Sequence, residues 1–478
     1  MEERKGFGSN FGFLMAAVGS AVGLGNIWGF PNKMGANGGF TFLIIYLLLA
    51  ACCGLIVMIG ELALGRKTGK GAVGAYKILS KKFRWLGWLG ILSAFLILFF
   101  YCALGGYCIK YVVLNVGNLF GAGFGSNGLN GAEVFGAFMG NQMEAVIYGL
   151  IFVLLTMLIV MGGVGGGIEK VCSVGMPALF IILLICIIRA CTLPGAVDGL
   201  KYMFVPGWAL EHGVIDKAPD LLTVLSTAGG QMFFSLSLGM GAMITYGSYL
   251  NKKENIEKNA LLIVIMDTLV ALMAGLCVIP GRFALDPTGS LGGPSLLFVT
   301  MQHVFDNMPL GSVFGILFYL LVVFAAISSS ISLLEVIVAH FCDKAREKGK
   351  GDKRKAYSLI AAAAVGVGCI LVCLDCLGGA GISPFNILGM NPENGLPMWS
   401  DCWLDFFDCI SEGILMPLGA LLMCLCIGWE IGPKVVDEEV TLEGQNFKLR
   451  GFFNICVKII TPLGMLLVLY GQIKDFFF

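Results

Sequence analysis

Charge is what this sequence has least of. Asp, Glu, Lys and Arg make up only 13% of its 478 residues, and 31 basic residues balance 31 acidic ones. A balanced charge leaves no basic footprint, which excludes nucleic acid as a partner. Histidine is nearly absent: His212, His303 and His340 are scattered, and no metal-ligand spacing accompanies them. The chain has no GxxxxGK[ST] loop for a nucleotide, no HExxH pair, and no nucleophile with a histidine base. Neither an ATP-driven pump nor an enzyme is expected, and no organic cofactor. Met1 to Asn10 is polar and the first apolar run leads straight into the chain, so no cleavable signal peptide is expected either.

What the chain has in quantity is apolar surface. It is 57% hydrophobic, and its mean hydropathy is +0.87. A soluble protein of this size would expose too much of that surface, so a multispan membrane protein in contact with the lipid bilayer follows. The 17 cysteines fit this reading, because most sit singly inside apolar runs (Cys52, Cys53, Cys102, Cys186, Cys277, Cys424). There they act as small hydrophobes. Only Cys376 and Cys402, flanking one polar loop, are placed to pair.

Runs long enough to cross about 30 Å of hydrocarbon fall near 11–35, 40–64, 86–117, 143–162, 171–192, 221–250, 257–280, 310–341, 356–376, 402–429 and 451–473. Eleven helical spans are expected, because backbone groups in lipid must be satisfied within their own segment. Lysine and arginine crowd the loops after spans two and eight (from Arg66 to Arg84, and from Lys344 to Lys355). The loop after span six adds Lys252, Lys253 and Lys258, whereas 118–142 and 377–401 contain none. The positive-inside rule then puts the N-terminus in the cytoplasm, the C-terminus outside, and the protein in a cell membrane.

Two spans carry residues that interrupt helices. Span one reads GSAVGLGNIWGFP at 19–31, and span six reads FFSLSLGMG at 233–241. Glycines in a single span serve close helix packing. Two interrupted spans, five apart and therefore of opposite direction, point instead to an inverted-repeat transporter with its site at the midplane.

With GQMFFSLSLGMGAMITYGSY at 230–249 and FAAISSSISLLE at 324–335, these stretches resemble the neurotransmitter:sodium symporter family in its bacterial amino-acid branch, from about residue 4 to 430. The resemblance implies an all-α, five-plus-five inverted repeat (the LeuT-like fold) with helices one and six discontinuous. Repeat one would cover about 8–192 and repeat two about 221–430, with residues 1–430 as the transporter core. Residues 431–478 would form a cytoplasmic linker and an eleventh helix.

The resemblance also implies a site. Amides at Gly23, Leu24 and Gly25 would receive an amino acid's carboxylate at the start of a resumed half-helix, helped by the Tyr101 hydroxyl. One sodium would take Ala21, Asn26, Ser235 and Asp267. The second would take Gly19, Val22, Ala325, Ser328 and Ser329. Phe234, Met240 and Leu333, with Ile97, would form the apolar side-chain pocket, and Ser237 and Ser329 would leave it room. Methionine at 240, where relatives often have phenylalanine, suits large hydrophobic or aromatic substrates such as tryptophan or leucine.

A carboxylate inside the run IVIMDTLVALMAG marks an ion path or binding site. Many relatives carry asparagine at that position and depend on chloride, so Asp267 is expected to make transport chloride-independent. Among gating residues, Asp408 matches the outer acid, but its usual arginine partner is replaced by Gly29, which leaves water or a cation such as Lys33 as partner. Arg4 and Asp343 match an inner pair, with Tyr249 beside them and Phe7 where tryptophan is usual. Gly167 and Pro177 in span five match a spacing that lets the helix unwind in relatives, with a simple proline kink as the other reading. A channel is not expected, since no ring of charge or carbonyls repeats along the spans. A non-transporting amino-acid sensor on the same fold is the alternative, and oligomeric state is left open.

Overall fold

Helices follow from the apolar runs, and no strand occurs among the described residues of the computed structural model, which are 6–285, 295–349, 353–388 and 401–477. Among the described residues, nine helices are long and apolar enough to cross a membrane: Phe40–Thr68, Leu86–Phe120, Gln142–Met161, Val164–Cys191, Ile256–Ala284, Gly311–Glu347, Arg354–Asp375, Trp403–Glu430 and Arg450–Lys474. A tenth crossing is a pair, Asn10–Ala21 and Gly25–Ala36, bent by 46° at the break between them.

The stretch expected as span six forms no helix of spanning length. It divides into Leu221–Ser235 and Ala242–Gly247. Between the pieces, Ser237, Gly239 and Gly241 take φ of 54°, 79° and 76°. A right-handed helix cannot pass through left-handed residues, and two of the three are glycines, for which that conformation costs little.

Burial orders the helices from centre to rim. Most of Gly311–Glu347 is buried, 72% of its apolar window, against 28% for Val164–Cys191, which turns most of its surface outward to lipid. The central helix packs along Leu86–Phe120 and touches Asn10–Ala21. It therefore brings its serines against the first break.

At the ends facing the lysine-rich loops, the linker helix Lys434–Val440 is tied down by Arg66. The buried Arg66 guanidinium donates Nε to Glu439 Oε1 at 2.7 Å and Nη1 to the Glu254 carbonyl at 2.5 Å. Cys376 and Cys402, expected as the one candidate disulfide, are both free thiols. Each has another partner: Cys402 Sγ donates to Asp405 Oδ2 at 3.1 Å, and Cys376 Sγ to the Cys373 carbonyl at 3.6 Å.

Candidate functional site

The first break begins where Val22 leaves helical geometry, at φ −72° and ψ 105°. Carbonyls just before it lose their intrahelical donors and must find others. The central helix supplies hydroxyls. Ser329 Oγ lies 3.3, 3.1 and 3.3 Å from the carbonyl oxygens of Gly19, Ser20 and Val22. Ser328 Oγ lies 3.4 Å from Val22 O and 2.9 Å from Ala325 O. Gly19, Val22, Ala325, Ser328 and Ser329 thus converge as neutral oxygens, a donor set that suits a hard monovalent cation.

A second constellation surrounds Asp267, which is fully buried. Asn26 donates Nδ2 to Asp267 Oδ1 at 2.7 Å and to its backbone carbonyl at 3.0 Å. Ser235 Oγ lies 3.1 and 2.9 Å from the two carboxylate oxygens, and the Tyr46 hydroxyl 3.4 Å from Oδ2. Asn26 Oδ1 in turn accepts from Gly23 N at 3.0 Å. The carboxylate therefore joins both broken segments. Among the described residues, no lysine or arginine pairs with it.

Between the two constellations lies a small cavity lined by Ala21, Gly23, Gly25, Ile97, Tyr101, Phe234, Ser237, Met240, Ser329 and Leu333. Its volume of about 10 Å³ is barely enough for one water, so anything larger enters only if its walls move apart. The Tyr101 hydroxyl accepts from Leu24 N at 2.9 Å and so meets the first amide after the break. Gly23 permits this approach. A Cβ there would stand 2.4 Å from Tyr101 Oη and 2.3 Å from Ser329 Oγ. Ser237 Oγ donates to the Ser20 carbonyl at 2.7 Å and so ties the two breaks together. Phe234 closes one side, its ring 6.3 Å from that of Tyr101.

The residues expected to form gates divide. Arg4 lies outside the described residues. Asp343 Oδ2 accepts from Gly71 N at 3.1 Å, and Oδ1 is 3.7 Å from Arg346. Tyr249 donates to Glu335 Oε1 at 2.6 Å, and Phe7 makes edge contacts with Phe13, Tyr246 and Tyr249. At the other end, Lys33 Nζ goes to Glu412, and Asp408 lies near both.

Several polar residues of the site were not singled out from the sequence. Arg354 holds the fully buried Glu335 through two bonds, of 2.6 and 2.9 Å. Glu61 Oε1 accepts from Gly239 N at 2.7 Å and so satisfies the second break. Glu169 accepts from Gly8 N at 2.8 Å and clamps the start of the first helix. Glu335, Glu61 and Glu169 are each an acid in an apolar or glycine-rich run, which is the signal that marks Asp267.

Comparison with known proteins places this geometry. The sodium:neurotransmitter symporter family model matches residues 4–121 and 137–477. The uncharacterized sodium-dependent transporter YhdH of Bacillus subtilis (strain 168) is 34% identical, over 97% of both chains. An uncharacterized sodium-dependent transporter of Haemophilus influenzae is 29% identical, over 99% of both. The crystal structure of MhsT in complex with L-phenylalanine superposes with a TM-score of 0.82 at 33% identity, covering 98% of this chain and 100% of that one. The fold is the all-α LeuT-like inverted repeat with discontinuous helices one and six. The chain belongs to the sodium:neurotransmitter symporter family.

Proposed function

We propose that this protein is a sodium-coupled symporter that imports an amino acid with a large apolar or aromatic side chain by alternating access, using two sodium ions and no chloride. The observation that carries the reading is Asp267. A buried carboxylate held only by neutral donors is costly unless a positive charge joins it. A sodium ion among Asp267, Asn26, Ser235 and the Ala21 carbonyl supplies that charge, and the fixed carboxylate takes the part that chloride plays in many relatives.

The second sodium sits among Gly19, Val22, Ala325, Ser328 and Ser329, where it holds the first break against the central helix. The substrate carboxylate takes the amides near Leu24 and Gly25 and the Tyr101 hydroxyl. Its side chain enters the pocket of Ile97, Phe234, Met240 and Leu333, with space beside Ser237 and Ser329. The bound L-phenylalanine of MhsT supports a substrate of this class. With the N-terminus cytoplasmic, each sodium moving inward across 100 mV contributes about 2.3 kcal/mol before its concentration gradient is added.

The test is a binding screen of the twenty amino acids with and without sodium, followed by counterflow in proteoliposomes. Tighter binding of a large apolar or aromatic amino acid with sodium, together with counterflow, supports the proposal. Binding without counterflow identifies a sensor, and no sodium-dependent binding rejects both.

A further inference from the structure

Gly25, Gly29 and Lys33 follow one another at steps of four along the outer half of the first broken segment, away from the cavity, and each meets a partner across it. A Cβ on Gly25 would stand 2.9 Å from Phe234 Cδ1, and one on Gly29 2.8 Å from Gln231 Oε1. Gln231 is held in that position by donating Nε2 to the Gly25 carbonyl at 2.6 Å. The amide fills the space beside Gly29, and a side chain at that position would have to displace it.

One step farther out, Lys33 Nζ bonds Glu412 on the helix Trp403–Glu430. The pair is largely enclosed, with side-chain exposures of 22% for lysine and 7% for glutamate. Gly230 lets the carboxylate lie against the second broken segment. A Cβ there would stand 3.3 Å from Glu412 Oε1 and 3.0 Å from Gln472 Nε2. Asp408, one turn before Glu412, lies near the same lysine but is not its bonded partner.

We infer that Lys33 and Glu412 form the outer latch of this chain, one turn farther from the cavity than Gly29, with Gln231 filling the layer between. The inference rests on the transport reading. An exposed ion pair would contribute little to holding a closed state. An enclosed one differs, because removing one partner strands the other charge. Opening the outer path separates the first broken segment from Trp403–Glu430, so the pair biases which side is closed. Both residues act through the position of these helices and do not touch the substrate.

The experiment follows release of radiolabelled L-phenylalanine from purified protein at saturating sodium. Lys33→Met and Glu412→Gln are each expected to speed release by about tenfold, with the sodium midpoint unchanged. The exchanged pair, Lys33→Glu with Glu412→Lys, returns release to within about threefold of wild type, and Lys33→Arg leaves it slow. Unchanged release in both neutral variants overturns the latch while leaving sodium-dependent binding in place. Faster release in Asp408→Asn alone assigns the latch to Asp408 and also overturns it. Absence of sodium-dependent binding in the wild type overturns the transport reading and the latch together. If a neutral variant does not survive purification, the double variant Lys33→Met with Glu412→Gln, which strands no charge, takes its place, and slow release there overturns the proposal.

Discussion

Asn26 grips Asp267 twice, through the carboxylate at 2.7 Å and the backbone carbonyl at 3.0 Å. This pair of hydrogen bonds from the first break to the helix Ile256–Ala284 fixes a negative charge where two broken segments meet. Asp267→Asn keeps the shape and removes the charge. Wild-type sodium-driven uptake is expected to be equal in chloride and gluconate, whereas the variant loses most of its uptake in gluconate and recovers in chloride. The same anion dependence in both proteins would separate Asp267 from the charge balance.

Tyr101→Phe removes the hydroxyl that accepts from Leu24 N. A hydrogen bond to a charged group contributes about 1.5–3 kcal/mol, so amino-acid affinity should fall by about tenfold or more. Binding titrations at saturating sodium read this directly. An unchanged affinity would remove Tyr101 from carboxylate recognition.

Ser328→Ala and Ser329→Ala each delete a hydroxyl from the carbonyl cluster of the first break. Both are expected to raise the sodium concentration for half-maximal uptake severalfold, while maximal binding of the amino acid at high sodium is retained. Sodium titrations of binding separate this from loss of fold.

Glu335 is fully buried, and Arg354 holds it with two hydrogen bonds. Removing one partner of such a pair costs about 3–5 kcal/mol, whereas replacing both with apolar residues is often neutral. Glu335→Gln or Arg354→Met should lower the thermal midpoint in detergent markedly, and the double variant Glu335→Met with Arg354→Met should recover most of it. A double variant as unstable as the singles would show that the pair does more than neutralise itself.

Both breaks were legible in the sequence because glycine and serine interrupt two spans of opposite direction, which helix packing alone does not require. The structure places them at Val22 to Leu24 and at Leu236 to Gly241, inside the quoted motifs. Asp267 was legible for a related reason, as a lone charge in an apolar run. What the sequence concealed was partnership. Lys33 and Glu412 are 379 residues apart, and nothing near Gly29 in the chain announces Gln231, which fills the space beside it. Hydropathy runs on through 221–250, although the backbone turns left-handed at Ser237, Gly239 and Gly241.

Sodium-driven accumulation in proteoliposomes is the most direct measurement. With sodium outside and potassium inside, radiolabelled L-phenylalanine, L-tryptophan or L-leucine should accumulate above its external concentration, and an inside-negative potential should increase it. Accumulation that is equal when potassium replaces external sodium, or absent for every amino acid that binds, would contradict sodium-coupled symport.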